Sequence, residues 1–310
     1  MNKKILVVGS ANVDMVVKSE RFPDKGETII GGKFYKSPGG KGANQAVAAA
    51  RLGADVTFIC KVGNDDFGKS SLENYRNEGI ETDCIILDPE HPTGVALISV
   101  NEIGENKIVV APGANADFTI KDLEKCKSIF KEAEFIVLQL EIPLEVIGEI
   151  LKLSQQFDSK VILNPAPAQS LPEWFYRDLY LITPNQTETE QLVGITVNDE
   201  SSALKAANEL KSLGVKNIVI TMGEKGAFVL TDDFTGMIKA PKVKVEDTTA
   251  AGDVFNGTLA VALTEYNSWK AAVNFACNSA ALSVTKIGAQ SSAPTLNELN
   301  ALMNSNKQIN

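Results

Sequence analysis

Short apolar runs alternate with amphipathic segments along most of the chain. Runs such as KILVVGS, DVTFICKVG, FIVLQL, KVILN, LYLIT and NIVITMG are rich in β-branched residues and are typical of strands buried on both faces. The segments between them, among them NQAVAAARLG, LEVIGEILKLSQQF and SALKAANELKSLG, have helical spacing. This alternation predicts right-handed crossovers and an α/β fold, a three-layer αβα sandwich with a mostly parallel central sheet.

Two stretches interrupt the alternation. Residues 13–35 predict two strands around a Pro/Gly turn, and residues 94–111 predict a hairpin around the turn NEIGEN. We expect these pieces to form a small antiparallel β-sheet beside a main domain of residues 1–12, 36–93 and 112–310. A small sheet with one apolar face needs a cover. Packing against the main domain, and a role as a lid over a site and a dimer surface, explain the two stretches equally well.

The chain is acidic, with a formal net charge of -9 and a pI of about 4.9. Acidic surfaces repel phosphate backbones, so nucleic acid is a poor candidate partner. The first apolar run is too short to cross a membrane and enters a glycine turn without a signal-peptide cleavage pattern, so we expect no membrane association. The cysteines have no paired spacing and are typical of reduced thiols in a cytoplasmic protein: Cys60, Cys84, Cys126 and Cys277.

The single histidine narrows the chemistry. His91 lies in the turn-like segment HPTG, a setting typical of an exposed loop residue. One histidine excludes histidine-rich metal sites, and a Ser–His–Asp triad would depend on this residue alone. Any proton transfer is therefore expected to use a carboxylate.

The segment DTTAAGDVFNG, from Asp247 to Gly257, is the most informative motif. It follows the strand-like segment PKVKVE and opens a strongly helical run. The small residues 250–252 leave backbone N–H groups open where the helix begins, and these groups together with the helix dipole favour an anion. Asp253 is placed to accept a proton from an attacking hydroxyl, as phosphoryl transfer requires. An ordinary Asp N-cap after a small-residue turn explains this segment alone equally well.

Two further motifs place polar side chains beside glycines or directly after a predicted strand. In SPGGKGANQA, glycines precede a predicted helix, and a lysine and an asparagine supply donors suited to sugar hydroxyls: Gly39, Gly40, Gly42, Lys41 and Asn44. In VVGSANVDMV, Asn12 and Asp14 follow the first predicted strand. Ordinary turn chemistry explains each of these motifs when it is taken alone.

Two motifs lie at the ends of later predicted strands. TPNQTETEQL places Asn185, Glu188 and Glu190 at a strand exit and in the first turn of a helix, where acidic residues either complement the helix dipole or orient metal-bound water. ITMGEKGAF places Gly223 and Gly226 in a turn, which is either a plain tight turn or backbone room for a nucleotide.

One motif is rejected as coincidental. GNDDFGKS, from Gly63 to Ser70, matches the G-x-x-x-x-G-K-[ST] phosphate-loop pattern. However, Asp65 and Asp66 lie where backbone amides should surround phosphate, and their charges would oppose a polyphosphate. We therefore place Lys69 in the first turn of an ordinary helix. A phosphate-loop NTPase remains the main rival within nucleotide chemistry.

Taken in order, the segments resemble the ribokinase family of carbohydrate kinases. The resemblance runs over nearly the whole chain and rests on SANVD, GGKGANQA, PGAN, QLE, NPAP, TPNQTE, DTTAAGD and KIGAQ. It implies a ribokinase-like fold with a β-sheet lid, and transfer of the ATP γ-phosphate to O5 of D-ribose. The same machinery acting on deoxyribose, fructose, a keto-sugar acid or a nucleoside is an alternative, and a non-catalytic sugar sensor is another.

The resemblance also implies a role for individual residues. Asp253 would be the catalytic base, and the backbone of Ala250, Ala251, Gly252 and Asp253 would form an anion hole. The sugar hydroxyls would be held by Asn12, Asp14, Gly40, Lys41, Gly42, Asn44 and Glu141. The ATP site would be formed by Asn185, Thr221, Gly223, Glu224, Gly226, Gly252 and Cys277.

The same resemblance implies cofactors and a partner. Glu188 would act on Mg²⁺ through water. A potassium site would be formed, partly through backbone carbonyls, by Asp247, Thr249, Ser283, Lys286, Gly288 and Ser292. A homodimer would join through the lid sheets.

Overall fold

The computed structural model describes residues 4–309. Over this range the strands, in chain order, are β1 (Lys4–Val8), β2 (Asn12–Lys18), β3 (Lys33–Gly39), β4 (Asp55–Ile59), β5 (Lys61–Gly63), β6 (Ile86–Asp88), β7 (Gly94–Val100), β8 (Asn106–Ala111), β9 (Ala133–Leu138), β10 (Lys160–Leu163), β11 (Leu181–Ile182), β12 (Asn217–Thr221), β13 (Ala227–Leu230) and β14 (Thr235–Ile238).

The helices alternate with these strands. They are α1 (Lys41–Arg51), α2 (Asp66–Asn77), α3 (Ile120–Glu124), α4 (Lys127–Phe130), α5 (Leu144–Phe157), α6 (Glu173–Arg177), α7 (Gln186–Val193), α8 (Glu200–Ser212), α9 (Ala251–Glu265), α10 (Trp269–Ser283) and α11 (Leu296–Ile309). Short 3₁₀ turns lie at Gly113–Asn115, Gly223–Lys225 and Gln290–Ser292.

The central sheet has eight strands in the order β14-β13-β12-β11-β10-β9-β1-β4. The pairs from β12 to β4 are all parallel, and only β13 and β14, at one edge, pair antiparallel. Carboxyl ends of parallel strands meet at one edge of a sheet, so the polar segments that follow β1, β9, β10, β11 and β12 converge there.

Both faces of the central sheet are buried, which explains the near-continuous apolar strands. In β1, Ile5 and Val7 pack with α1, α9 and α10, whereas Leu6 and Val8 pack with α5 and α8. The period of two in a strand sends alternate side chains to opposite faces. The predicted α/β fold, a mostly parallel sheet between helical layers, is confirmed.

A second sheet of four strands, in the order β3-β2-β7-β8, lies beside the first. The pairs β2–β3 and β7–β8 are antiparallel as predicted, but the pair β2–β7 that joins them is parallel. The joining pair is parallel because the chain passes through α1, β4, β5 and α2 before it returns, which is a crossover rather than a hairpin. Strand β3 also begins later than predicted and runs to Gly39, with residues 19–32 as the connecting loop.

Candidate active site

A polar cleft of about 200 Å³ opens at the carboxyl edge of the central sheet. Its lining comes from α1, from the segments after β10, β11 and β12, and from the start of α9. The residues are Lys41, Asn164, Ala166, Thr183, Asn185, Glu188, Thr221, Thr248, Ala250, Ala251, Gly252, Asp253 and Asn256. The structure thus brings together residues from three predicted groups. They are the four anion-hole residues 250–253, Lys41 of the glycine-rich motif, and the nucleotide or metal residues Asn185, Glu188 and Thr221.

The N-terminus of α9 is open toward this cleft. Ala250 is the N-cap residue, adopts the left-handed conformation with φ 58°, and provides no capping side chain. A non-glycine residue with positive φ is uncommon and carries local strain. The backbone N–H groups of the first turn have no intrahelical partners, and the helix dipole adds positive potential there. The segment PKVKVE before this turn was predicted to be a strand, but it is not one, because residues 241–246 have no neighbouring strand to pair with.

Asp253 lies in the first turn of α9 and is only 5% exposed. Its two carboxylate oxygens accept hydrogen bonds from different side chains of α1, Oδ2 from Asn44 Nδ2 at 2.9 Å and Oδ1 from Gln45 Nε2 at 3.0 Å. Each carboxylate oxygen has two lone-pair directions, so each retains one for a substrate. The arrangement fits a base whose orientation is fixed before substrate binds.

Three buried amides in this network were missed at the level of sequence. Gln45 also donates to Asn164 Oδ1 at 3.1 Å and accepts from Gln139 Nε2 at 2.7 Å. Gln139 ends the apolar run FIVLQL, and Asn164 follows the run KVIL. A polar residue at the end of a fully buried strand is the signal that marks both positions, because burial there requires a partner.

Glycines allow α1 to approach the strand ends. Gly40 has φ 90°, and a Cβ at Gly42 would lie 2.7 Å from the carbonyl carbon of Gly9. On the other side of α1, a Cβ at Gly257 of α9 would overlap the backbone oxygen of Gln45. These close approaches hold Asn44 and Gln45 against Asp253.

Lys41 is the cation of the site. The charge of Asp253 raises the pKa of the Lys41 ammonium, against the opposing effect of burial, and Glu141, Glu188 and Asp14 raise it further. The lysine is therefore charged and partly balances four carboxylates. Lys41 belongs to the glycine-rich segment and also lines the same cleft as residues 250–253.

Asp14 has a perturbed acidity. Burial, together with the charges of Glu141 and Asp253, raises its pKa to about 6, although the charge of Lys41 acts in the opposite direction. Glu141 accepts from the Ser10 hydroxyl, and from the backbone N–H of Lys41 at 3.1 Å. Asp14 therefore shares one electrostatic environment with Asp253.

Asn12 begins β2 and is buried. Its Oδ1 accepts from Asn115 Nδ2 at 2.8 Å, and Asn115 also accepts from the backbone N–H of Ala11 at 2.9 Å. Asn115 comes from the PGAN segment and orients Asn12, a role that sequence reasoning did not assign. In contrast, Oδ1 of Asn44 is buried and has no hydrogen-bond partner among residues 4–309.

Asn185 and Glu188 form a capping box at the start of α7. Asn185 Oδ1 accepts from the backbone N–H of Glu188, and Glu188 Oε2 accepts from that of Asn185, both at 2.8 Å. Burial raises the pKa of Glu188 and the charge of Asp253 adds to this, whereas the bond from Asn185 and the charge of Lys41 lower it. Thr221 at the end of β12 bridges to Asn185 and lines the same cleft.

Other predicted nucleotide residues lie outside the lining of this cleft. Gly223, Glu224 and Gly226 form the turn between β12 and β13, where Gly226 has φ 100° and a Cβ would overlap the backbone of Ile238. Cys277 lies on α10 with its side chain in the core, and burial raises the pKa of its thiol to about 12.

The predicted potassium residues are partly assembled. Asp247 accepts from the backbone N–H of Thr249 and from that of Gly288, both at 2.9 Å. Burial acts to raise the pKa of Asp247, but a bond from the Thr249 hydroxyl at 2.6 Å and these two backbone bonds outweigh it and hold the pKa below the usual range. The Lys286 side chain instead pairs with Glu298, and the Ser283 and Ser292 hydroxyls donate to carbonyls within their own turns.

The phosphate-loop match has a structural explanation. Asp65 is the N-cap of α2, where it accepts from the backbone N–H of Gly68 at 2.8 Å and from Thr93 at 2.7 and 2.8 Å. A loop whose carboxylate occupies the N–H groups cannot present them to phosphate. The region is the start of an ordinary helix, as predicted, and Lys69 is exposed on α2.

The chain matches the model of the pfkB family of carbohydrate kinases over residues 2–296. The chain belongs to the pfkB carbohydrate kinase family. It is 43% identical over 298 residues to ribokinase of Haemophilus influenzae, covering 96% of this chain and 97% of that one. It is 37% identical over 304 residues to deoxyribokinase of Salmonella typhi, with 98% and 99% covered. The structure of Arabidopsis thaliana ribokinase complexed with ribose and ATP matches with a TM-score of 0.92 at 30% identity, covering 97% and 99%.

Membership confirms the predicted resemblance, the fold and the enzyme class, a sugar kinase and hence a transferase. Among the residues that the structure describes, no helix is both long and apolar enough to cross a membrane.

Proposed function

We propose that this carbohydrate kinase transfers the γ-phosphate of ATP to O5 of D-ribose, giving D-ribose 5-phosphate and ADP. One observation carries the proposal: the buried Asp253 carboxylate is fixed at the open N-terminus of a helix, on a cleft large enough for reacting groups. The similarity to ribokinases over nearly the whole chain supports the choice of sugar.

The sugar is bound on the glycine-rich side of Asp253. The residues we assign to it are Asn12, Asp14, Gly40, Lys41, Gly42, Asn44 and Glu141. The buried Asn44 Oδ1 supports this assignment because it has no partner within the described protein, and a sugar hydroxyl would supply the missing donor. Asn44 would then join the sugar directly to the base, since its Nδ2 donates to Asp253.

In the reaction, Asp253 accepts the proton of the O5 hydroxyl as O5 bonds to the γ-phosphorus. The bond from that phosphorus to the β–γ bridging oxygen breaks, and the electron pair leaves on ADP. The backbone N–H groups of residues 250–253 and the Lys41 ammonium are placed to stabilise the negative charge of the transferring group.

ATP is assigned to the other side of the cleft, with Asn185, Thr221, Gly223, Glu224, Gly226, Gly252 and Cys277. A magnesium ion keeps several waters and needs few protein carboxylates, so one buried carboxylate is a suitable outer partner. Glu188 fits this role, because it lines the cleft near Lys41 and Asp253. When bound, the ion would neutralise phosphate charge.

A potassium ion is assigned to the loop beside the anion hole, with Asp247, Thr249, Ser283, Lys286, Gly288 and Ser292. The residues fit such an ion in one respect: hydrogen bonds keep Asp247 ionised, and they join the loop before α9 to Gly288. A cation there would add positive potential close to the anion hole.

The second sheet, residues 13–35 and 94–111, is assigned as a lid and as the interface of a homodimer. Large apolar side chains on it are exposed, as an interface requires: Val17, Phe34, Tyr35, Leu97, Ile108, Val109 and Val110. We place the enzyme in the cytoplasm because its four cysteines are unpaired, and we expect neither nucleic acid nor membrane as a partner because the chain is acidic.

A second candidate substrate is 2-deoxyribose, favoured by the 37% identity to a deoxyribokinase over almost the full length. ADP release with ATP and magnesium across a sugar panel, with and without potassium, separates the candidates. We expect the highest kcat/KM with D-ribose and a higher rate with potassium. A preference for 2-deoxyribose would select the second candidate, and no turnover with any sugar would overturn the function.

The variant Asp253→Asn tests the base. Its kcat should fall by about 10²- to 10⁴-fold, because a general base contributes about that much. Ribose binding, followed by calorimetry, should remain measurable. Near-normal turnover in this variant would contradict the assignment.

A further inference from the structure

Behind Asp253 lies a chain of three buried amides, of which only Asn164 reaches the lining of the cleft. Gln139 follows the core of β9, Gln45 lies on α1, and Asn164 follows β10. Gln139 Nε2 donates to Gln45 Oε1 at 2.7 Å, and Gln45 Nε2 donates to Asp253 Oδ1 and to Asn164 Oδ1 at 3.0 and 3.1 Å. Gln45 and Gln139 have no exposed surface, so neither contacts solvent or a substrate in the cleft.

The hydrogen bonds allow Gln45 only one orientation. Both of its Nε2 hydrogens are used, and its oxygen accepts from Gln139. A flipped amide would place its oxygen against two other oxygens, those of Asp253 and Asn164, and would oppose the two nitrogens of Gln45 and Gln139. The amide of Gln45 is therefore a fixed donor to the base.

The backbone makes room for this chain. A Cβ at Gly9, which follows β1, would overlap Oε1 of Gln139. That Oε1 atom is buried without a partner in the described protein, so Gln139 is held there at a cost in hydrogen bonding. A buried polar group retained at such a cost indicates a role beyond filling space.

We propose that Gln45 is a positioning residue for Asp253, and that Gln139 acts behind it by fixing the Gln45 amide. Asn44 holds one carboxylate oxygen and Gln45 holds the other, so together they prevent rotation of the carboxylate. The inference rests on the proposed role of Asp253 as base. It adds that the alignment of this base is set in part by two residues outside the lining of the cleft, Gln45 and Gln139.

The variant Gln45→Met keeps the approximate volume and removes both donors. We expect kcat to fall by about 10- to 100-fold, because a misaligned reacting group costs about that much, while the Kd for D-ribose stays within about twofold. Thr258→Val is a matched control, since it removes another buried hydrogen bond of α9, the 2.8 Å bond to Ser279. It should lower the thermal midpoint with kcat unchanged.

The variant Gln45→Glu separates a positioning role from a merely structural one through the dependence of kcat/KM on pH, which a structural role would leave unchanged. It places a second carboxylate about 3 Å from Asp253, and neighbouring like charges raise a carboxyl pKa. The other charged groups that face Asp253 are Lys41 on α1, Asp14 on β2 and Glu188 on α7, and none of them is changed. We expect the acidic limb of kcat/KM against pH to move up by about one pH unit or more.

Gln139→Met tests the amide that donates to Gln45 in this hydrogen-bonded row. Its kcat should fall less than that of Gln45→Met, and the double variant should resemble Gln45→Met alone, because both act through one amide. Additive losses in the double variant would contradict the proposal that Gln139 acts through Gln45.

The inference is overturned if Gln45→Met keeps normal kcat, or if Gln45→Glu lowers stability without moving the acidic limb of the pH profile. If Asp253→Asn keeps normal kcat, the proposed base is wrong, and that result is separate from these.

Discussion

Strands β9 and β8 belong to the two sheets and differ in almost every respect. In β9 five of six residues are buried, whereas all six residues of β8 are exposed. The central sheet is covered by helices on both faces and has its own core, but the second sheet has one surface without a cover in a single chain. The central sheet therefore buries its apolar side chains within the chain, whereas apolar side chains of the second sheet stay exposed in a single chain.

The two sheets carry different parts of the proposed site. Asp253 and the anion hole lie on the rigid central part, where close packing resists small displacements. Asn12 and Asp14 lie on β2 of the second sheet. In the proposed function, the catalytic groups therefore lie on the central sheet and its helices, and part of the sugar site lies on the sheet that we propose to be a lid.

The largest expected effect comes from a matched pair of phenylalanines. Phe58 in β4 is fully buried and makes an edge-to-face contact with Tyr75 at 5.3 Å, whereas Phe34 in β3 is 60% exposed. Phe58→Ala should lower the free energy of unfolding by about 3–5 kcal/mol. Phe34→Ala should change it by about 0.5 kcal/mol or less when measured on the monomer by urea denaturation. Equal losses would remove the distinction between the sheets.

A smaller effect is expected where α1 and α9 meet. Gly257→Ala should destabilise by about 1–3 kcal/mol and lower kcat, because the added methyl group overlaps the backbone of Gln45 and must push the helices apart. Gly148→Ala on α5 is the matched control. Its methyl group meets only the ring of the half-exposed Trp174, which has room to move, so stability should be unchanged or raised.

Asp14 tests the point where the two sheets share the site. Burial raises its pKa from 3.8 to about 6, so the folded protein binds this proton more tightly than the unfolded chain does. The free energy of unfolding should therefore fall as the pH rises from about 4 to about 6. Asp14→Asn should be more stable than the parent at pH 8 by about 1–2 kcal/mol, with the gain lost below pH 4. A pH-independent difference would contradict this.

The smallest effect on folding is expected from Val109→Asp on β8. The free energy of unfolding of the monomer should change by about 0.5 kcal/mol or less, because the side chain is exposed. Sedimentation should nevertheless show a weakened dimer, since a charge is placed in the proposed interface. Leu204→Asp, an exposed position on α8, should leave the association unchanged. Persistence of the dimer in Val109→Asp would place the interface elsewhere.

Much of the fold could be predicted because its signals are local. Strand β1 and helix α9 follow from runs of apolar residues with clear spacing, and the uncapped N-terminus of α9 follows from the small residues that precede it. PKVKVE has the alternation of a half-exposed strand but no neighbour to pair with, and pairing is not visible in a single segment. The parallel pairing of β2 with β7 was missed for the same reason.

The interior of the site was less predictable. Asn44 and Asp253 were assigned from their motifs, but Gln45 was not, because a glutamine in an alanine-rich helix gives no sign of which side it faces. The contact forms only when Gly257 lets α9 approach α1. In contrast, the phosphate-loop match could be rejected from charge alone, and the capping bonds of Asp65 account for the carboxylate there.

The register of the sheets also bears on the order in which a new chain folds. Strand β1 lies between β4 and β9, so Lys4 pairs with both Asp55 and Ala133. Likewise, Asn12 of β2 pairs with Gly94 of β7. During synthesis the first strand can meet β4 early, but it stays an open edge until β9 leaves the ribosome. The amino-terminal third of the nascent protein therefore depends on a segment made much later, and for that interval it is the part most exposed to aggregation and to chaperones.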